Sequence, residues 1–347
     1  MSALGNALPL STPRPLGALA DRTAAHGMVR HAGSCEVTVM PRRTVSHANL
    51  LVFTVDWAGT GVVVKYPRTD GASEALALEW DHLRDLAADR RLAPWRPLLP
   101  EAVGSRPDAG PPRRPLVQTR LPGVPAGPLL PDHPRDLRRT VTAALRLLAA
   151  LRGATGRREA ATDRTADWAH EQLAVLTAEI GRGRPGAGAA ALDPLRRRLD
   201  DALATATLTR GWTHGDFHIG NVLLDEDRTR ITGVFDWGNA RADGPAEIDA
   251  CTFVLATREA LGGPPMGRQV ADALRRGRLP GADRALLSAH GVDPDSGGDP
   301  AALPLLTWLW HVSGNLRKTR QFGRSRRWLG VSVAPVLREA DRGAGTP

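Results

Sequence analysis

Two runs near the start of the chain, "NLLVFTVDW" (49–57) and "GVVVKYP" (61–67), are dense in β-branched residues and flank a glycine-containing stretch near Ala58 to Thr60. They predict an antiparallel hairpin. The next segment, "SEALALEWDHLRDLAA" (73–88), changes period and puts Leu76, Trp80, Leu83 and Ala87 on one stripe, which predicts a helix with Ser73 as its N-cap. A turn-rich stretch, "GSRPDAGPPRRP" (104–115), leads into a short strand in "LVQTRLPG" (116–123).

Beyond Leu121 to Gly123 the pattern becomes helical, with "DLRRTVTAALRLLAALRG" (136–153) and "TADWAHEQLAVLTAEIGRG" (165–183) as two long candidates. A Gly, Ala and Pro-rich link, "RGRPGAGAAALDP" (182–194), separates them from another helix. Further helices are expected near 247–260, 265–277, 302–321 and 325–340. No repeat of solenoid period occurs. The reading is an α+β chain of two lobes: a leader at 1–27 expected to be flexible, a small strand-rich lobe at 28–121, and a large helical lobe at 122–347.

Between those helices lies "HGDFHIGNVLLDEDRTRITGVFD" (214–236). Gly215 and Gly220 argue for an irregular loop, "NVLL" for a short buried strand, "DEDRT" for a polar turn, and "RITGVFD" for a returning strand. Such a hairpin carries Asp236 back beside Asn221, with Asp216 just before them. Converging oxygen donors suit a hard cation such as Mg²⁺, which takes few protein ligands and keeps its other positions for water and phosphates. A further carboxylate can orient an attacking hydroxyl and accept its proton. His214 and His218 are four residues apart, but that zinc spacing needs a helix, which the neighbouring glycines oppose.

Whole-chain properties narrow the field. The 347 residues are ample for a buried core, and a 42% hydrophobic, 24% charged composition is globular. No run of eighteen apolar residues is present, so no membrane span is expected. The N-terminal stretch lacks a basic n-region and is interrupted by Pro9, Pro13 and Pro15, a poor fit to a secretory signal. Cys35 and Cys251 lie far apart without metal-type spacing, which points to reduced thiols in the cytoplasm. The net charge of +9 is almost wholly arginine, since lysine occurs only at Lys65 and Lys318. With aromatics at 4%, stacking platforms for single strands are scarce, which weighs against nucleic acid as the partner.

The motifs "HGDFHIGN", "GVFDWGNA" and "GPAEIDA" together resemble the aminoglycoside phosphotransferase and choline kinase family, whose fold is protein kinase-like. The resemblance implies Asp216 as catalytic base, Asn221 and Asp236 as Mg²⁺ ligands, His214 as a support of the loop, and Asp249 as a structural aspartate beneath it. It also implies ATP or GTP as phosphoryl donor and a small-molecule hydroxyl as acceptor, with antibiotics among the candidates.

A nucleotide phosphotransferase also needs a strand lysine paired with a helix carboxylate. Lys65 ends "GVVVK", and of its two candidate partners Glu79 lies at the edge of the apolar stripe whereas Glu74 lies opposite. Glu79 is the expected partner. No G-x-G-x-x-G loop precedes Lys65; instead "RRTVSHANLLVF" (42–53) offers Ser46, whose neighbouring backbone N–H groups are expected over the phosphates. His-Gly-Asp in place of His-Arg-Asp, and the absence of A-P-E after Asp236, set the chain apart from protein kinases.

From Ala242 to Pro347 there are 14 Arg plus Lys against 11 Asp plus Glu, which tilts the expected acceptor from a polycation towards a neutral or anionic hydroxyl compound, sugar-bearing natural products among the candidates. Some of Arg317, Lys318, Arg320 and Arg324 are expected to face it. Two other classes stay open: a catalytically silent kinase-fold binding module, and a basic nucleic-acid binder with salt-sensitive affinity.

Overall fold

The two runs form strands as their β-branched content favours, and Leu51, Val62 and Lys65 are buried on them. The structure, a computed structural model, describes residues 39–45, 49–57, 60–108, 113–128, 133–160, 163–180, 187–296 and 298–343. Strands β1 (Val39–Val45), β2 (Leu50–Trp57), β3 (Thr60–Pro67), β4 (Ala102–Val103) and β5 (Leu116–Thr119) make one antiparallel sheet in the order β1-β2-β3-β5-β4. The expected hairpin is β2 and β3, in continuous register from Leu50↔Pro67 to Trp57↔Thr60. Lys65 lies on the middle strand, opposite Val52 on one side and Leu116 on the other, so neighbours on both sides fix its backbone. The expected leader, Cys35 and Ser46 lie outside the described residues.

Helix α1 (Asp70–Ala88) packs on this sheet through Leu76, Leu83 and Leu86. It starts earlier than the sequence suggested. Thr69, not Ser73, is its N-cap: the Thr69 hydroxyl accepts from the Ala72 N–H at 3.2 Å, and Ser73 is buried inside the first turn. A 3₁₀ segment, Arg90–Leu98, follows and sinks Leu92 and Trp95 into the core.

After a two-residue strand, β6 (Val124–Pro125), the chain is mainly helical: α2 (Pro134–Thr155), β7 (Arg157–Ala160), α3 (Asp163–Ile180) and α4 (Ala187–Ala204). Much of the expected Gly, Ala and Pro-rich link therefore belongs to α4. Its alanines favour helix, and Leu192, Leu195, Leu199 and Leu203 form one buried stripe that outweighs the cost of Pro194 inside the helix.

Strands β8 (Thr207–Thr213), β9 (Val222–Leu224), β10 (Ile231–Val234) and β11 (Arg241–Pro245) carry the central motifs. They form two small antiparallel sheets, β10-β9-β6 and β11-β8-β7. The rest is α5 (Glu247–Ala260), α6 (Met266–Arg276), α7 (Gly281–Ala289), α8 (Ala302–Lys318), α9 (Arg320–Arg324), α10 (Arg326–Trp328), a π-helical turn (Leu329–Val333) and α11 (Ala334–Gly343). Thr319 ends α8 in extended backbone, which divides the helix expected over 302–321.

Helix α8 is the axis of the larger lobe, with Leu303, Leu306, Trp308, Leu309 and Trp310 all buried. Each such side chain removed from water contributes about 1.5–3 kcal/mol. The apolar core continues from α1 and β5 through to α11, so the two lobes share one packed interior. Among the described residues, no helix is long and apolar enough to cross a membrane.

Candidate active site

The β9–β10 hairpin does what its sequence requires. Val222 pairs with Val234, and the Phe235 N–H donates to the Asn221 carbonyl at 3.1 Å, so Asn221 and Asp236 emerge side by side. The polar turn between the strands closes on the Asp225 carboxylate, which accepts from the N–H groups of Thr229 at 2.7 Å and Arg230 at 3.1 Å. The Asn221 side-chain amide donates from Nδ2 to the Asp216 carbonyl at 3.0 Å, which ties the loop to the hairpin.

Two buried groups shape the loop that carries Asp216. The Asp249 carboxylate, projecting from the first turn of α5, accepts from the N–H groups of His214 at 2.6 Å and Gly215 at 2.9 Å. Burial pushes its pKa up to about 7 against the pull of those two bonds. Burial likewise brings the His214 imidazole down to about 4, so the ring is neutral at pH 7. Its hydrogen bonds then select one tautomer: Nε2–H donates to the Phe235 carbonyl at 3.0 Å, and bare Nδ1 accepts from the Asp216 N–H at 3.3 Å. Phe217 meets this ring edge-on at 5.7 Å between centroids, and Trp237 flanks it at 4.5 Å. Gly215 has φ +75, and a Cβ there would collide with the Asn239 carbonyl oxygen.

Lys65 lies at the opposite wall. Its ammonium donates to Glu79 Oε1 at 2.6 Å and to Asp236 Oδ1 at 3.4 Å. Glu79 is 3% exposed, whereas Glu74 points to solvent on the other face of α1. Burial alone would lower the Lys65 pKa; Glu79 and Asp236 reverse that and raise it. Burial pushes the Glu79 carboxyl up while Lys65 pulls it down, and with so short a bond we read the pair as ionised. Helix α1 is held to the Asp236 segment by a residue that sequence reasoning passed over: a ring nitrogen of His82 meets the Trp237 carbonyl at 3.0 Å.

A second lysine completes the cluster. Lys318, the last residue of α8, donates to Asp216 Oδ2 at 2.6 Å and lies 3.3 Å from Asp236 Oδ2. Burial would raise both carboxyl groups, but Lys318 foremost, with Lys65 also acting on Asp236, holds them below the usual carboxylate range. Lys318 is one of four basic residues of which some were expected to face the acceptor, and its ammonium joins the two aspartates. Its signal in the sequence was its type, one of two lysines in a chain whose other 44 of 46 basic residues are arginine.

Asp236 itself adopts left-handed backbone, φ 69 and ψ 56. Among the described residues no cluster of three or more His, Cys, Asp or Glu gathers as a metal site. The Asp236 carboxylate and the Asn221 amide oxygen are hard donors in small number, a set that fits Mg²⁺ sharing its shell with water and phosphate.

The model of the phosphotransferase enzyme family matches residues 43–286. Among solved structures, the crystal structure of aminoglycoside-3'-phosphotransferase of type VIII is similar at 21% identity and TM-score 0.50, covering 83% of this chain and 98% of its own. A thermostable mutant of aminoglycoside phosphotransferase APH(4)-Ia, in a ternary complex with AMP-PNP and hygromycin B, is similar at 18% identity and TM-score 0.55, covering 92% and 99%. A further thermostable mutant of that enzyme, in a ternary complex with ADP and hygromycin B, reaches TM-score 0.53 at 17% identity, covering 92% and 99%. No curated protein matches the sequence. The structural likenesses speak for a shared kinase-like fold, and the family match spans well over half of the chain. The protein belongs to the phosphotransferase enzyme family and is a small-molecule phosphotransferase.

Proposed function

We propose that this enzyme moves the γ-phosphoryl group of ATP, or GTP, to a hydroxyl of a small molecule in a Mg²⁺-dependent reaction. The observation that carries this reading is the meeting of Lys65, Glu79, Asp216 and Asp236, which come from the middle strand, α1, the loop after β8 and the end of β10. Lys65, aligned by Glu79, binds the α and β phosphates, with backbone N–H groups near Ser46 covering them. Asn221 and Asp236 hold the metal. Bound there, Mg²⁺ would neutralise charge on the phosphates and the leaving group.

Asp216 orients the acceptor hydroxyl and accepts its proton as the oxygen attacks phosphorus. Its carboxylate is ionised at neutral pH, as that role requires. His214 and Asp249 act on the backbone of this loop, not on substrate. Positioning and charge neutralisation supply most of the rate, because phosphoryl transfer leaves little covalent chemistry to the protein.

The nucleotide complexes of the APH(4)-Ia structures support a nucleotide donor here. For the acceptor we favour a neutral or anionic hydroxyl compound over a polycation, since the Lys318 ammonium already lies 2.6 Å from the Asp216 carboxylate. We divide the chain into a leader at 1–27, a nucleotide lobe at 28–121 and an acceptor lobe at 122–347, and place the enzyme in the cytoplasm, where ATP is supplied. A silent binding module is the weaker reading, because lysine, base and metal-ligand residue types are all present.

The test is a panel of hydroxylated natural products, aminoglycosides included, screened for ADP release and a phosphate mass shift. Turnover should need Mg²⁺ and stop with EDTA. Asp216→Asn should lower kcat by at least about 10³-fold while calorimetry shows nucleotide affinity within a few-fold of wild type. A variant with near-normal kcat would remove Asp216 as the base.

A further inference from the structure

The bond between Lys318 and the proposed base has a bearing on how the site loads. Lys318 is the terminal residue of α8, where the helix dipole favours a cation. The helix is not free to slide. The Ser313 hydroxyl donates to Gln172 on α3 at 2.6 Å in the interior. Gly314 lies so close to the Asp236 segment that a Cβ would come within 2.9 Å of Asn239 Nδ2. The ammonium is thus delivered to one place, against Oδ2 of both Asp216 and Asp236, where without it only Lys65, on Oδ1 of Asp236, would offset the two negative charges.

That place sets a positive charge against Asp236 Oδ2, an oxygen that a divalent ion held by Asn221 and Asp236 would seek. A lysine suits a replaceable cation: its charge is compact and its four-carbon stem can swing aside, whereas a guanidinium would bind a carboxylate bidentately with a rigid fork. In a chain this rich in arginine, the choice of lysine at 318 is informative.

We propose that Lys318 is a built-in counter-cation that holds Oδ2 of Asp216 and of Asp236 in the unloaded enzyme and must yield Asp236 to the divalent metal. Lys318 then sets the metal concentration at which the site loads. It also keeps Oδ2 of the base occupied until loading has occurred. It is a positioning residue acting through the two aspartates, and the inference rests on the functional reading given above.

The test compares Mn²⁺ binding, followed by the loss of its free paramagnetic resonance signal, in the full-length wild type and in Lys318→Met and Lys318→Gln. Both variants should bind Mn²⁺ at least about tenfold more tightly, because a unit charge has left the metal's surroundings. Their metal-free melting temperature should fall, and added Mg²⁺ should raise it more than in wild type.

A second measurement needs no variant. Lys65 and Lys318 are the only lysines, so trace acetylation read by mass spectrometry reports on each separately. Saturating Mg²⁺ should raise labelling of Lys318 several-fold and leave Lys65 protected by Glu79. Unchanged Mn²⁺ affinity in the variants, or labelling of Lys318 indifferent to Mg²⁺, would overturn the proposal while leaving the phosphotransferase reading intact. Failure of the wild type to bind either Mn²⁺ or magnesium nucleotide would sink that reading itself.

Discussion

Lys65 and Lys318 approach the same carboxylate from opposite sides, Lys65 at 3.4 Å from Asp236 Oδ1 and Lys318 at 3.3 Å from Oδ2. The strand ammonium belongs to the small β-rich lobe and the helix ammonium to the large helical lobe. Asp236 is therefore the point at which the electrostatics of the two lobes meet.

Removing the first of these cations should damage both chemistry and fold. Lys65→Met leaves Glu79 buried without a partner, and losing one member of a buried pair costs about 3–5 kcal/mol. We expect a fall in kcat/KM of about 10²-fold or more, with the melting temperature lowered. The double variant Lys65→Met/Glu79→Gln should be less destabilised than the sum of the singles, because no orphan charge remains. Denaturant titrations of the four proteins check this, and strict additivity would argue against an ionised pair.

Backbone geometry at the catalytic loop gives a second prediction. Gly215 combines φ +75 with a Cβ position already taken by the Asn239 carbonyl, so Gly215→Ala meets both strain and a backbone collision. A loss of about 2–4 kcal/mol in unfolding free energy is expected, with turnover lost in step. Gly277, also at positive φ but with nothing near its Cβ position, is the control; Ala there should cost less, about 1 kcal/mol.

His214 and Asp249 should tilt the pH dependence of stability in opposite directions. His214 falls from 6.5 to about 4 on folding, so the native state binds fewer protons than the unfolded chain between those values. Its contribution is complete above pH 6.5 and is lost as the pH drops towards 4. Asp249 rises from 3.8 to about 7, so the native state binds more protons and stability declines as the pH climbs through that window. Each slope is about 1.4 kcal/mol per pH unit at most, and in wild type the two largely offset one another. His214→Gln should therefore lose stability from pH 4 to 7, and Asp249→Asn should gain it from pH 4 to 6.5. Urea denaturation across pH would expose the error if both variants sloped the same way.

The legible parts of the molecule were those governed by period and local chemistry. Runs dense in β-branched residues around a glycine-containing turn announced the β2–β3 hairpin, and a 100° step distinguished buried Glu79 from exposed Glu74. The cluster "HGDFHIGN" with "GVFDWGNA" carried the loop and the paired strands behind it. What failed was context. Thr69 and Ser73 are both competent caps, and only the backbone decides between them. The segment 187–194 reads as a linker until the leucines beyond it are counted as one face. Strand β11 contains Gly244 and Pro245 and owes its form to pairing with β8. Lys318 sits in a basic run indistinguishable from a solvated helix end, and only the close docking of α8 brings it to Asp216.

The left-handed backbone at Asp236 bears on how such an enzyme can lose its activity. Only Gly visits that conformation freely, and Asn comes nearest to Asp in tolerating it. A descendant retained as an inert scaffold could therefore carry Asn or Gly at this position and still fold well. A bulky or β-branched residue there would bring instability along with silence, so the main-chain angle at one proposed ligand restricts which inactive heirs of this chain can persist.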